Sequence, residues 1–235
     1  MSSIAIQTPS IADPYKNPGS IENRFRRGRF AHIRSLIEDA LAERGRVDIL
    51  DLGGRELYWD IGREFLDAHR GRIRIHLVNL EEDCQPVSRS ELFTAQAGDA
   101  CDRRLLEGRR FDLVHSNSVI EHVGDDERIG RFAENVRRLG ARYYVQTPNF
   151  WFPLEPHFRV PGYQWLPAHL RTRMLQARRL GFYRRQRSYD DARAIVDSVR
   201  LLRPRTMARL FPEADIRMET VLGLPKSIMA SHDGR

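Results

Sequence analysis

Lysine is nearly missing from this chain. Lys16 and Lys226 are the only two, although lysine and arginine together number 39 against 32 acidic residues. The net charge of +7 is therefore almost all arginine, a bias that genome composition produces as readily as a polyanionic ligand does. The arginines between Arg171 and Arg209 are scattered along helix-like segments, as on a solvated face, so nucleic acid is not the expected partner. Cysteine is scarce too. Cys84 and Cys101 stand in neither a CxxC nor a metal-like spacing, which suits a reduced, cytoplasmic compartment. No apolar run approaches the roughly 18 residues that span a bilayer. Met1 to Ser20 has neither the basic start nor the apolar stretch of a secretory signal; Pro9, Pro14, Pro18 and Gly19 suggest a loose leader over residues 1–22. Internal repeats and low-complexity tracts are absent.

What is present is a regular alternation. Hydrophobic residues make up 41% of the chain, enough for the core of one α/β domain over residues 23–235. Phe25, Phe30, Ile33, Ile37 and Leu41 recur near helical spacing and predict a helix over Arg24 to Glu43, with Arg24, Arg26, Arg27 and Arg29 in its first turns. Strands are expected at Val47–Leu52, Ile73–Leu80, Leu92–Ala97, Phe111–Ser116 and Arg142–Gln146. Helices are expected over Glu56 to His69 and about Asp125 to Leu139. Strands alternating with helices argue for a parallel sheet with right-handed crossovers. Further helices are expected at Pro167–Leu180 and Asp190–Leu202, with a short one capped by Thr206. Two last strands, Asp215–Val221 and Ser227–Ala230, are joined so tightly through Gly223 and Pro225 that they should be antiparallel. The fold class is α/β: seven strands, mostly parallel, with helices on both faces and an antiparallel C-terminal pair.

The pattern changes after Thr147. Residues 147–167 hold Pro148, Pro153, Pro156, Pro161 and Pro167 among Phe150, Trp151, Phe152, Phe158, Tyr163 and Trp165. This is too aromatic for a disordered linker. It reads as a lid or acceptor-binding insertion, extending to about residue 205.

Ligands of open parallel sheets bind outside the carboxyl ends of the strands. Those ends are Asp51-Leu52-Gly53-Gly54, Asn79-Leu80-Glu81, Gly98-Asp99-Ala100, Ser116-Asn117-Ser118 and Gln146-Thr147-Pro148-Asn149. Gly53 and Gly54 let backbone approach a ligand. An acidic residue at the second strand end suits two ribose hydroxyls, and Asp99 suits the exocyclic amine of a base. Each residue also has a plain structural use as a turn, a cap or a solvated surface group; it is their joint order that points to a nucleotide-like ligand. A nicotinamide dinucleotide would need G-x-G-x-x-G, whereas Glu56 stands where a diphosphate would be repelled. A ligand with a cationic amino-acid end fits better.

Over residues 24–230 the chain resembles the class I, Rossmann-like S-adenosylmethionine-dependent methyltransferases of the broad type 11 group. Leu50-Asp51-Leu52-Gly53-Gly54 is similar to that family's first motif. Phe111-Asp112-Leu113-Val114-His115-Ser116-Asn117-Ser118-Val119-Ile120-Glu121-His122-Val123 is similar to its fourth-strand motif. Gln146-Thr147-Pro148-Asn149, Phe152-Pro153-Leu154-Glu155-Pro156-His157-Phe158 and Trp59 resemble a narrower bacterial subgroup. The resemblance implies S-adenosylmethionine as cofactor, held by Asp51, Gly53, Gly54, Asn79, Glu81, Asp99, Ala100, Ser116 and Asn117. It also implies methyl transfer to an unidentified acceptor, expected to be a small molecule. The commoner pattern of alternate glycines would fall on Gly53, Arg55 and Leu57, and only the first is kept.

In methyl transfer the cofactor carries the hard chemistry and the protein positions and desolvates. A hydroxyl or carboxyl acceptor would be helped by a base, for which His122, Glu121, His157 and Glu155 are the candidates. Glu121 and His122 would equally serve as loop braces, and Glu155-Pro156-His157 as a lid-anchoring turn. His122, Glu155 and His157 could also meet around a metal, but none is assigned from sequence. A non-catalytic methyltransferase-like binding module and a nicotinamide-dependent oxidoreductase stand as alternatives.

Overall fold

The structure, a computed structural model, describes residues 21–235, with side chains from Asn23 onward. The expected leader lies outside the described residues, except that residues 21 and 22 open the first helix. Seven strands form one sheet: β1 (Val47–Leu52), β2 (Ile73–Asn79), β3 (Phe93–Ala97), β4 (Phe111–Asn117), β5 (Gly140–Pro148), β6 (Asp215–Val221) and β7 (Leu224–His232). Their order is β3-β2-β1-β4-β5-β7-β6. The first five are parallel, and β7 runs antiparallel between β5 and β6. The chain thus turns outward in one direction from β1 to β3 and in the other from β4 onward. That reversal leaves a crevice at the carboxyl ends of β1 and β4, where a parallel sheet binds its ligand.

Both faces are covered. Helix α1 (Ile21–Arg44) buries Phe30, Ile33, Ile37 and Leu41 against Val47, Ile49 and Tyr144 on one face. On the other, α4 (Asp126–Leu139) buries Ile129, Phe132, Val136 and Leu139 against Leu50, Val114 and Val145. The Asp125 side chain caps α4 by accepting the Arg128 N–H at 2.9 Å, satisfying an orphan donor of the first turn. Every residue of β4 from Phe111 to Ser116 is buried, as a strand covered on both faces requires. Among the described residues, no helix is long and apolar enough to cross a membrane.

Several expectations need correction. The helix expected over Glu56–His69 is broken into α2 (Glu56–Trp59), a 3₁₀ turn (Asp60–Gly62) and α3 (Arg63–Ala68). The break lets the ring of Phe30 lie against Gly62, where a Cβ would come within 1.9 Å of it. After α5 (Ala168–Ala177), helix α6 (Tyr189–Asp197) stops short of Leu202. Beyond it the backbone is drawn to the sheet: Arg200 N donates to Glu121 O at 2.8 Å and Phe150 N to Leu202 O at 2.9 Å. Thr206 is not a cap. It lies inside α7 (Pro204–Leu210), which starts at a proline in its first turn, where a fixed φ and a missing N–H cost nothing. The last hairpin turns on Leu222 and Gly223, both left-handed (φ 50° and 79°), as a two-residue turn demands; Pro225 already belongs to β7.

The segment after β5 has its own small core, in which Phe158, Tyr163 and Tyr183 pack with Leu175, Ile195 and Val196 from α5 and α6.

Candidate active site

A cavity of about 210 Å³ opens at the β1–β4 crevice, lined by Arg26, Asp51, Gly53, Gly54, Arg55, Tyr58, His115, Asn117 and Ser118. Asp51 is fully buried at the end of β1. Its Oδ2 accepts from Trp59 Nε1 at 2.8 Å, and its Oδ1 faces His115 Nδ1 at 2.7 Å. A carboxylate only accepts, so His115 donates through Nδ1, while its Nε2 lies 3.3 Å from the Tyr58 hydroxyl. Asp51 is thus fixed by α2 and β4 before any ligand arrives.

The turn explains the unusual glycines. Gly53 has φ +74°, and Gly54 is packed so closely under Asp51 that a Cβ would lie 1.7 Å from Oδ2. Arg55 is extended (φ −131°) just before α2, and Leu57 is a partly exposed residue of that helix. Neither position requires glycine, so the loop closes without the alternate-glycine pattern.

Asn117 lines the cavity and accepts from Arg29 Nη1 at 3.0 Å. Ser118 beside it is left-handed (φ 57°), a conformation uncommon outside glycine and often found at functional turns. Its hydroxyl donates to Gln146 Oε1 at 3.0 Å, and its N–H to Gln146 O at 2.9 Å. Ser116 is fully buried and its hydroxyl donates to Leu52 O at 3.0 Å; it ties β4 to β1 rather than lining the cavity. Asn79 donates to Gly54 O at 2.8 Å, bracing the turn. Glu81 is exposed at the end of β2, in the 3₁₀ turn Glu81–Asp83. Asp99 accepts from Cys101 N at 2.8 Å and from Arg128 Nη2 at 3.0 and 3.1 Å, leaving about one of its four acceptor sites. Although partial burial works against the charge, these bonds hold its carboxyl below the usual range. Ala100 next to it is half-buried, and its carbonyl accepts from Asn135 Nδ2 at 2.9 Å.

The four candidate catalytic residues converge beyond β4 and β5. Glu121 and His122 lie in a 3₁₀ turn (Ile120–His122). Glu121 is fully buried; its Oε2 accepts from Thr147 Oγ1 at 2.9 Å, and its Oε1 has no hydrogen-bond partner. His122 Nε2 and His157 Nε2 face each other at 3.1 Å. His157 Nδ1 is 2.8 Å from Glu155 Oε1, and Glu155 Oε2 accepts from the backbone N–H groups of His157 and Phe158 at 2.8 and 2.5 Å. Although part of the His122 ring reaches solvent, desolvation lowers its pKa and nearby His157 adds to this. Desolvation also acts on His157, but the Glu155 hydrogen bond and charge outweigh it and raise the pKa.

Sequence reasoning did not assign Arg26, Arg55, Tyr58 and His115 as cavity residues; Ser118 stood among the strand-end residues. Arg26 was visible only as one of four arginines in the first turns of the first helix, and His115 only as part of the fourth-strand motif. The aromatic segment divides in two: Phe158 and Tyr163 are buried core, whereas Trp151 and Trp165 are about half exposed.

No family model matches the chain. An N-methyltransferase, NodS of Bradyrhizobium japonicum WM9, solved with S-adenosyl-l-homocysteine, superposes with a TM-score of 0.51 at 12% identity, over 94% of this chain and 92% of that one. An O-methyltransferase family protein of Burkholderia thailandensis superposes at 0.47 with 14% identity, over 91% of this chain and 63% of that one. An uncharacterized protein of Mycobacterium tuberculosis, matched in two strains, is 43% identical over 59 residues, which is 25% of this chain and 20% of the relative. The chain therefore spans about a fifth of the length of that relative and under two thirds of the Burkholderia protein. Strand order and the superposition on NodS together show the Rossmann-like fold of class I methyltransferases.

Proposed function

We infer that this protein transfers a methyl group from S-adenosylmethionine to a small-molecule acceptor. The observation that carries this reading is the cavity at the β1–β4 crevice, whose lining residues include a glycine turn, the buried Asp51 and Arg26. That donor set suits a zwitterion, with Arg26 toward a carboxylate and acceptor groups of Asp51 and the turn toward an ammonium. At about 210 Å³ the cavity is smaller than the roughly 300 Å³ at which pockets for whole drug-sized ligands begin, so it would hold only the amino-acid end of the cofactor. The rest would lie along the strand ends, with Glu81 at the ribose hydroxyls, Asn79 behind the turn, and Asp99 and Ala100 at the adenine. NodS, of the same fold, was solved with the demethylated cofactor. The nicotinamide alternative is weaker, because Glu56 opens α2 bonded to Ser88 N and Oγ, both at 2.7 Å, and keeps a carboxylate where a diphosphate would dock.

The cofactor, when bound, supplies a methyl group activated by a sulfonium. The chain's own residues hold it, exclude water and align the acceptor, and alignment alone can lower a barrier by roughly 7–11 kcal/mol. The cluster of Glu121, His122, His157 and Glu155 flanks the same strand ends and would receive the proton an acceptor loses. Residues 147–205 would form the acceptor-binding insertion of one methyltransferase domain over 23–235. Both cysteines are free, and burial raises Cys101 to about 11, which keeps it an inert thiol and fits a reducing, cytoplasmic setting.

Calorimetric titration with S-adenosylhomocysteine and, separately, NAD tests the reading. One equivalent of S-adenosylhomocysteine should bind, at least tenfold more weakly to Arg26→Ala, and NAD should give no saturable heat. Absence of S-adenosylhomocysteine binding, or saturable NAD binding, overturns it.

A further inference from the structure

The geometry points to a divalent transition-metal site of catalytic type, built by Glu121, His122 and His157 where β4 and β5 end. One ligand atom from each of the three lies within 4.8 Å of the other two. The imidazole nitrogens are closest, Nε2 to Nε2 at 3.1 Å. Ligand bonds of about 2.0–2.2 Å around a tetrahedral centre put donor atoms roughly 3.4 Å apart. The histidine pair already has nearly that separation, and the Glu121 carboxylate, within 4.8 Å of both ligand nitrogens, needs to close by no more than roughly 1.4 Å to reach the tetrahedral spacing.

A simple brace between two histidines would account for the short nitrogen contact but not for what surrounds it. Ligating histidines usually donate their second ring N–H to a carboxylate or a backbone carbonyl, which fixes the ring and frees the other nitrogen for metal. Both histidines do so here: His157 Nδ1 to Glu155 Oε1 at 2.8 Å, and His122 Nδ1 to Ser198 O at 3.4 Å. Each Nδ1 is turned toward an acceptor oxygen, and the two Nε2 atoms converge. Glu121 completes the set. It is fully buried, Thr147 holds one oxygen, and the other has no hydrogen-bond partner. An orphaned carboxylate oxygen is costly in a protein interior, and a cation between it and the two imidazoles removes the cost. Glu155 is no ligand, because backbone N–H groups and His157 occupy its oxygens.

Two imidazoles and one carboxylate suit zinc, with cobalt as its spectroscopic substitute. Three protein ligands leave a position for water or an exogenous oxygen. With a metal bound, Glu121, His122 and His157 serve as ligands in place of bases; the open position takes a hydroxyl or carboxylate oxygen of the acceptor and lowers the pKa of a bound hydroxyl so that its proton leaves to water, a clause that rests on the methyl-transfer reading; the metal site itself does not.

The test titrates the full metal-stripped chain with Co²⁺ and Zn²⁺. One equivalent should bind, with intense visible absorption of low-coordinate Co²⁺ and paramagnetic shifts of two histidine ring signals. His122→Ala, His157→Ala and Glu121→Gln should each weaken Zn²⁺ at least tenfold, and Glu155→Gln about 10–100-fold. Acetohydroxamate should shift the cobalt band by entering the open position. Absence of stoichiometric Co²⁺ or Zn²⁺ binding by the wild-type chain, or binding without shifts in these histidine signals, overturns the site even if every variant misfolds. A cobalt band indifferent to acetohydroxamate overturns the open position. S-adenosylhomocysteine affinity measured on the same sample separates these failures from failure of the methyltransferase reading.

Discussion

The carboxylate of Asp51 occupies the space that a side chain on Gly54 would need: a Cβ there would lie 1.7 Å from Oδ2. The carboxylate has nowhere to turn, because Trp59 Nε1 and His115 Nδ1 hold its two oxygens. Gly54→Ala should therefore cost about 1–3 kcal/mol of stability, as overpacking does, and weaken S-adenosylhomocysteine binding. Urea denaturation with a parallel titration checks both. A Gly54→Ala protein as stable as wild type would show that the carboxylate is not locked.

Trp59→Phe approaches the same network from the other side. It keeps an aromatic ring against Phe30 but removes the donor, leaving a buried carboxylate oxygen unsatisfied. The expected loss is about 1–3 kcal/mol, read as a lower urea midpoint with an unchanged slope.

This network also marks where sequence reading stopped. The strands of the sheet were legible because each carries its own signal: β1 is a short apolar run closed by glycines, and β6 and β7 are too close in sequence to be anything but antiparallel. The strand-end residues followed from the general rule for parallel sheets. What stayed hidden depends on contacts across the fold. Gly62 looks like an ordinary helix residue until Phe30 is packed against it, so the break after Trp59 had no local sign. Ser116 and Asn117 are neighbours of similar chemistry. The pleat alone sends one to Leu52 O and the other to the cavity, and a one-residue change of register would exchange them. What sets Glu121 apart is a contact distant in sequence: Thr147 takes one of its oxygens and leaves the other without a hydrogen-bond partner.

Arg26 and Arg29 stand one turn apart on α1 and should behave differently. Arg29 is buried, bonded to Asn117 and paired with Glu219 at 3.3 Å. Arg29→Ala should lose about 1.5–3 kcal/mol, the usual range for bonds to charged groups. Arg26 lines the cavity, and Arg26→Ala should weaken S-adenosylhomocysteine binding at least tenfold. Calorimetry on Arg26→Ala and urea denaturation of Arg29→Ala check the two roles; wild-type affinity in Arg26→Ala would contradict its role in binding.

Asp99 has a pH signature. Its folded pKa lies below the ordinary carboxylate value of 3.8, against partial burial, because of the bonds from Cys101 and Arg128. A depressed carboxyl contributes stability that is fully present above the unfolded pKa and is lost as pH falls through the folded value. The contribution should therefore be intact above about pH 4 and disappear below it. Arg128→Leu should lower stability at neutral pH and flatten the acid limb of a stability–pH curve. An acid limb identical to wild type would show that the Asp99–Arg128 pair carries no pH-dependent stability.

The three tryptophans give a direct optical check of how the aromatic segment is divided. Trp59 is fully buried, whereas Trp151 and Trp165 are 53% and 49% exposed. Trp151→Phe with Trp165→Phe should leave stability within about 0.5 kcal/mol, as surface changes do, and leave fluorescence resistant to acrylamide. Phe158→Ala, in the small core with Tyr163 and Tyr183, should cost about 3–5 kcal/mol. The remaining emission comes from an indole bonded to Asp51, so S-adenosylhomocysteine should alter it if the cavity at the β1–β4 crevice is the binding site. An unchanged spectrum at saturating ligand would separate Trp59 and its carboxylate from the bound molecule.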